Sequence, residues 1–213
     1  MRWKNERTWD AVIEQVSRQY GVPATLVKAV IATESQFNPA AYRAEPHLGD
    51  GSVGLMQILL RTARGMGYTG PLGDAQTLTG LFDPATNIRF GTAYLAQQLD
   101  RAGTPAGAAS AYNGGWKPSL GFGKPATEPV RVCLRRDVNG QCAKWRDVAP
   151  GEYANQSYVD AVLSNLAYFE SERQISTVTL PGPGPVNVRR VPWVPIAILV
   201  GLLAGLWALR RLA

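Results

Sequence analysis

One carboxyl group stands out in this chain of 213 residues. Glu34 follows Ile31 by three positions and Val30 by four, so on a helix it continues the apolar stripe of Leu26, Val27, Val30 and Ile31. Desolvation there favours the protonated acid, and a seat near a helix C-terminus, where the macrodipole disfavours anions, pushes the same way. Both effects suit a group that donates a proton near neutral pH. The competing reading is a helix-end glutamate turned to solvent. Other chemistries lack parts. The single histidine, His47, lies in a loop-like Glu45-Pro46-His47-Leu48-Gly49 stretch and reads as a solvated side chain, not as the base of a Ser-His-Asp triad. Beside it the chain has only Cys133 and Cys142; no metal-ligand spacing is present, and neither a metal nor a cofactor is expected.

The elements that must hold Glu34 follow from periodicity and breakers. Thr8 can cap a first helix through Trp9, Val12, Ile13 and Val16, stopped by Gly21. A second helix starts near Pro23 and ends about Gln36–Phe37, before Pro39. Residues 38–53 read as loop, because Asn38-Pro39, Glu45-Pro46 and Gly49-Asp50-Gly51 all break structure. Gly54 to Gly65 reads as a short helix. Asp83-Pro84 opens a long helix closed by Gly103, and a small-residue helix runs from Pro105 to Tyr112. Residues 116–151 are irregular, with a hairpin over Val130–Trp145 that turns at Asn139-Gly140. Tyr158 to Glu170 is expected to be the last helix of the domain.

Glu34-Ser35-x-Phe37-x-Pro39-x-Ala41, then Gly54-Leu55-Met56-Gln57, then Ala111-Tyr112-Asn113-Gly114-Gly115 resemble the SLT family of lytic transglycosylases, which share a goose-type-lysozyme-like fold. Thr62-Ala63, the Asp83-Pro84-x-x-Asn87-Ile88-x-x-Gly91-x-x-Tyr94-Leu95 helix and Gln156-Ser157-Tyr158-Val159 extend the likeness over about residues 9–170. The resemblance implies that the glutamate matching Glu34 protonates the glycosidic oxygen between MurNAc and GlcNAc of peptidoglycan. The same carboxylate then takes a proton from the MurNAc C6 hydroxyl as a 1,6-anhydro ring closes. One carboxyl suffices because the sugar supplies the nucleophile, whereas ordinary glycosidases need two. By the same resemblance Ser35, Met56, Gln57, Tyr112, Asn113 and Tyr158 line or order the cleft, tyrosine being suited to pack on a pyranose while bonding through its hydroxyl. Core packing is the alternative for Met56, Tyr112 and Tyr158, and a bond back to the helix end is the alternative for Ser35.

Some residues depart from the family pattern. Arg43 stands where many members have a serine, residues 44–53 are longer than usual, and 116–151 is an atypical insertion. Asp50 in that longer loop is a candidate second acid for a hydrolytic muramidase, and its Gly-Asp-Gly setting also reads as a plain turn. An inactive glycan-binding protein on the same scaffold is the third reading. Cys133 and Cys142 lie across the hairpin, and pairing them requires a bulge or longer loop, since Asn139-Gly140 is off-centre between them.

The net charge of +6 suits an anionic partner, and the sign alone fits cell wall, phospholipid and nucleic acid equally. Given the likeness, the expected partners are peptidoglycan glycan strands and a lipid bilayer, with no nucleic acid. The first twenty residues lack the apolar core of a signal peptide. From Val191 to Leu209 there is no charge; Arg189/Arg190 and Arg210/Arg211 flank the run, with Trp193 and Trp207 near its ends, as in a membrane anchor. Gly201-x-x-x-Gly205 is a spacing at which two such anchors can pack. The expectation is therefore a mainly α, lysozyme-like transglycosylase domain over 1–172 with a small β-hairpin insertion, a Pro/Gly linker over 173–190 and one C-terminal transmembrane helix over 191–213. A virion internal membrane of a bacteriophage and a bacterial inner membrane are the two locations that fit.

Overall fold

Most of the helices form where capping residues and breakers place them. The computed structural model describes residues 2–178 except Val138. Helix α1 (Asp10–Tyr20) closes on Gly21, whose φ of 68° is the left-handed conformation glycine adopts without penalty. Helix α2 (Ala24–Glu34) follows Pro23 and buries eight of its eleven residues, so it is wrapped by the core on nearly every side. The long helix α4 (Pro84–Ala102) is capped by the Asp83 side chain, which accepts from the Thr86 N–H, and ends at Gly103. Thr104 caps α5 (Pro105–Gly114) through the Gly107 N–H in the same manner. Packed around α2 are Ile13 and Val16 from α1, Ile88 and Leu95 from α4, Ala108 and Ala109 from α5, and Val162, Leu166 and Phe169 from α6 (Gln156–Val178).

The stretch expected to be loop over 38–53 is instead the start of a three-stranded antiparallel sheet. Strand β1 (Tyr42–Glu45) pairs with β2 (Asp50–Val53), and β2 with β3 (Ile58–Leu59). Strands this short, one of them exposed along most of its length, carry no alternation to read, and the Pro46 and Gly49 breakers belong to the 3-10 turn joining β1 to β2. Likewise only Leu60–Gly65 of the helix expected over 54–65 is helical (α3). The second helix stops at Glu34 rather than at Gln36–Phe37, and Thr8 makes no capping bond, Trp9 being the residue before α1.

Strands β4 (Val130–Arg136) and β5 (Cys142–Val148) form the expected hairpin, with Gly140 left-handed in its turn. Register slips on either side of Arg135 supply the bulges the cysteine spacing called for, and Cys133 and Cys142 form a disulfide. The hairpin buries Val132 and Val148 against Phe122, Ala126 and Ala154. Helix α6 continues past the expected Glu170 to Val178, so the first residues of the stretch expected as linker are helical. The rest of that linker and the anchor at 191–213, with Gly201 and Gly205, lie outside the described residues. Among the described residues no helix is long and apolar enough to cross a membrane.

Candidate active site

Glu34 is the last residue of α2, and the chain is forced to turn just beyond it. Gln36 and Phe37 both take left-handed backbone conformations, with φ of 53° and 63°. That conformation costs a non-glycine residue about 1–2 kcal/mol. Phe37 offsets the cost by burying its ring completely, 5.9 Å from Trp3 and 6.1 Å from Phe169 between ring centres. Ser35 fixes the helix end from the other side: its hydroxyl donates to the Leu55 carbonyl at 2.7 Å, with the Ile31 carbonyl at 3.2 Å. The serine therefore ties the acid's helix to the Gly54-Leu55-Met56-Gln57 segment.

That segment is held by a residue whose role the sequence did not announce. Asn87 of α4 is fully buried; its Oδ1 accepts from the Met56 N–H at 2.8 Å, and its Nδ2 donates to the Val53 and Leu81 carbonyls at 2.9 Å each. Two glycines make room for this clamp. A Cβ on Gly54 would lie 2.4 Å from Asn87 Nδ2, and one on Gly91 would lie 2.5 Å from Met56 Sδ. The Met56 side chain has no exposed surface and packs as core, while its carbonyl accepts from the Tyr112 hydroxyl at 2.8 Å. Gln57 spends its amide nitrogen on the Ala41 and Gly54 carbonyls, both at 3.0 Å, and so ties the segment to the residue before β1.

Tyr158, near the start of α6, donates its hydroxyl to Glu34 Oε1 at 2.7 Å. This joins residues 124 positions apart and is the most direct link in the site. Tyr112 is buried, its ring 5.3 Å from that of Tyr94. Asn113 is exposed at the end of α5, and its Oδ1 accepts from Asn155 Nδ2 at 2.9 Å. Asn155 and Ser110, neither singled out from the sequence, bond to each other through Ser110 Oγ and Asn155 Oδ1 at 2.8 Å and lock α5 to the entrance of α6.

The electrostatics match the geometry. Glu34 keeps some exposed surface, yet its carboxyl is surrounded closely enough that burial raises its pKa from 4.5 to about 7, against the opposing pull of the Tyr158 hydrogen bond and the Arg43 charge. Burial, reinforced by the charge of Glu34, holds the Tyr158 and Tyr112 hydroxyls well above their ordinary value, so both remain donors. Arg43, the departure from the family pattern, is thus close enough to act on the acid, while its guanidinium is itself paired with Glu45 at 2.7 Å.

Asp50, the alternative second acid, is occupied elsewhere. Its Oδ1 accepts from the Gly51 N–H at 2.7 Å and its Oδ2 from the Arg61 N–H at 3.1 Å, which makes it a support for the sheet and for the start of α3. No His, Cys, Asp or Glu cluster able to hold a metal occurs among the described residues. What remains is one acid poised between its two protonation states near neutral pH, bonded to a tyrosine and anchored from both sides.

The chain is similar to known lytic transglycosylases. Membrane-bound lytic murein transglycosylase C of Shigella sonnei (strain Ss046) is 38% identical over 125 residues, covering 53% of this chain and 32% of that protein. The chain thus spans about a third of the length of that curated relative. Among solved structures, the lytic transglycosylase Slt of Pseudomonas aeruginosa, an inactive mutant, superposes with a TM-score of 0.53 at 23% identity, over 81% of this chain and 25% of that one. The 70-kDa soluble lytic transglycosylase of Escherichia coli gives 0.52 at 22% identity, over 78% and 24%. These two likenesses establish the lysozyme-like fold. The family model of the transglycosylase SLT domain matches residues 11–120, more than half of the sequence, and the chain belongs to that family.

Proposed function

We propose that this chain cuts the MurNAc–GlcNAc β-1,4 linkage of peptidoglycan as a lytic transglycosylase, with Glu34 as its only acid and base. The observation that carries the proposal is a carboxyl raised to about 7 with a tyrosine hydroxyl at 2.7 Å. In its protonated form Glu34 donates to the glycosidic oxygen, which leaves with the GlcNAc. The C1–O bond breaks, the C6 oxygen of the same MurNAc bonds to C1, and the Glu34 carboxylate receives the C6 hydroxyl proton. No water is consumed and the acid is returned protonated, so a second carboxylate has no task. The backbone bonds of Asp50 favour this route over hydrolysis. In this reading Tyr158 positions Glu34, Tyr112 and Ser35 hold the floor and helix end that face the sugar, and Gln57 and Asn113 present the polar groups at the cleft. Purified sacculi digested with the chain should yield muropeptides lighter by one water than hydrolytic products in mass spectrometry, and Glu34→Gln should yield none. Products of full hydrolytic mass would mean a lysozyme reaction.

The reading extends to place. The uncharged run 191–209 between arginine pairs, together with a relative named as membrane-bound, supports a domain held at a membrane and opening the wall locally. That work suits phage genome delivery or a bacterial secretion apparatus. Recovery of the chain in purified virions supports the first, and recovery in bacterial inner-membrane fractions the second.

A further inference from the structure

The disulfide-braced hairpin carries positive charge that the fold leaves unbalanced. Arg135 and Lys144 stand opposite each other in the β4–β5 register, both exposed, and neither has an acidic partner among the described residues. Like charges facing across a ladder destabilise it. Arg136, next in the strand, gives its guanidinium to the Gly140 carbonyl at 2.6 Å and has no acidic partner among the described residues. Strand β4 also packs against the 3-10 turn Pro118–Leu120, just after Lys117, whose pKa is lowered by burial and by the charge of Arg136. By contrast Arg131 and Arg146, nearer the base of the hairpin, are paired with Asp147 and Glu152. The repulsion is therefore concentrated at one end.

Lys117, which feels the charge of Arg136, connects that end to the Asn113 side of the site: its Cε lies 3.5 Å from where a Cβ on Gly115 would stand. Lys117 lies four residues past Asn113, and the returning Phe122 ring packs so closely on Gly114 that a Cβ there would sit 1.9 Å from it. From the other strand, Arg146 donates to the Ala154 carbonyl at 3.0 Å, next to the Asn155 that bonds Asn113. Both attachments of the insertion converge on the Asn113 end of the site. Three large apolar side chains are exposed here, Leu134 at 38%, Trp145 at 53% and Leu120 of the adjoining turn at 40%, with the Arg131 guanidinium 5.3 Å over the Trp145 ring. The cations around them favour a hydrated polyanion over a bilayer interior, which needs a broader apolar face.

From this placement we infer that Arg135, Arg136, Lys144 and Lys117 form a subsite for the carboxylates of the peptide stems carried by a peptidoglycan strand lying in the cleft. The inference rests on the proposed function and adds that the chain reads the peptide as well as the sugar. The test uses the full chain carrying Glu34→Gln, co-sedimented with purified sacculi, with glycan strands stripped of peptides by an amidase and then capped as methylamides at the lactyl carboxylates so freed, and with phosphatidylglycerol vesicles. Adding R135Q/K144Q should lower affinity for sacculi roughly tenfold, on the scale of two exposed charge pairs, and flatten its salt dependence. Binding to stripped strands should not change. Because the pair repels, its removal should leave the melting temperature equal or higher, which separates lost binding from lost folding. Arg135→Glu, which pairs with Lys144, should be as stable and bind sacculi more weakly still. Equal binding of sacculi by R135Q/K144Q and its parent, the same loss on stripped strands, or a loss confined to vesicles would each overturn the subsite. If the wild-type chain cuts sacculi while the pair has no effect, this inference alone falls; if it neither cuts nor binds them, both fall.

Discussion

Replacing Glu34 by Gln should stabilise the protein, and only on the alkaline side. Gln keeps the shape and can still accept the Tyr158 hydroxyl bond, but it cannot ionise. Glu34 has an ordinary value of 4.5 and a folded value of about 7, so between those pH values the folded state holds a proton that the unfolded chain has released. Stability of the wild-type chain therefore falls as pH rises through that window and levels off above it. At roughly 1.4 kcal/mol per pH unit the interval amounts to about 3 kcal/mol, or about 1–3 kcal/mol once solvent reaching the half-buried carboxyl is allowed for. Urea unfolding of both chains, followed by far-UV circular dichroism at pH 4 and pH 8.5, reads this directly. Near-equal stability is expected at pH 4 and a Gln advantage of about 1–3 kcal/mol at pH 8.5. A difference that is the same at both pH values would refute the buried-acid argument. So would a Gln variant less stable at pH 8.5.

The same value predicts the rate profile: sacculus clearing should decline as pH rises through about 7, because the proton donor is lost, and a flat profile to pH 9 would count against Glu34 as the acid. Tyr158→Phe removes the bond that pulls the acid's pKa down, so the alkaline limb should move to higher pH while kcat drops roughly tenfold or more; an unmoved limb would deny the contact its role. Asn87→Ala strands the Met56 N–H and two carbonyls in the core and should cost about 2–4 kcal/mol in urea unfolding; a loss below about 1 kcal/mol would mean that the clamp is dispensable.

The acid itself was legible because two independent signals met on it: its place on an apolar stripe and the ordered blocks around it. Its partners were legible as residue types but not as bonds. Tyr158 is joined to Glu34 across most of the domain, and no local pattern encodes such a contact. Asn87 was visible only as part of a block, since a polar residue in the first turns of a helix ordinarily faces water; the close approach at Gly54 is the physical trace of its burial, as the one at Gly91 is of Met56. The sheet over 42–59 was hidden for a different reason. Its strands are too short and too unevenly buried for a period of two to emerge, and its breakers lie inside it rather than around it. Met56 meets Asn87 and Thr92 of α4 through its N–H and Sδ, and Gln57 gives its amide nitrogen to the Ala41 and Gly54 carbonyls, bonds that no residue type announces.

Helix α2 buries eight of its eleven residues and ends on Glu34. A rod encased in this way can neither rotate nor slide without opening cavities throughout the core, so the proton donor has one address and the reaction centre is not adjustable in small steps. Diversification toward different walls must then fall on the parts that surround that fixed point, the strands over 42–53 and the insertion over 116–151. An engineer seeking a new target would exchange those two segments and leave the rod untouched.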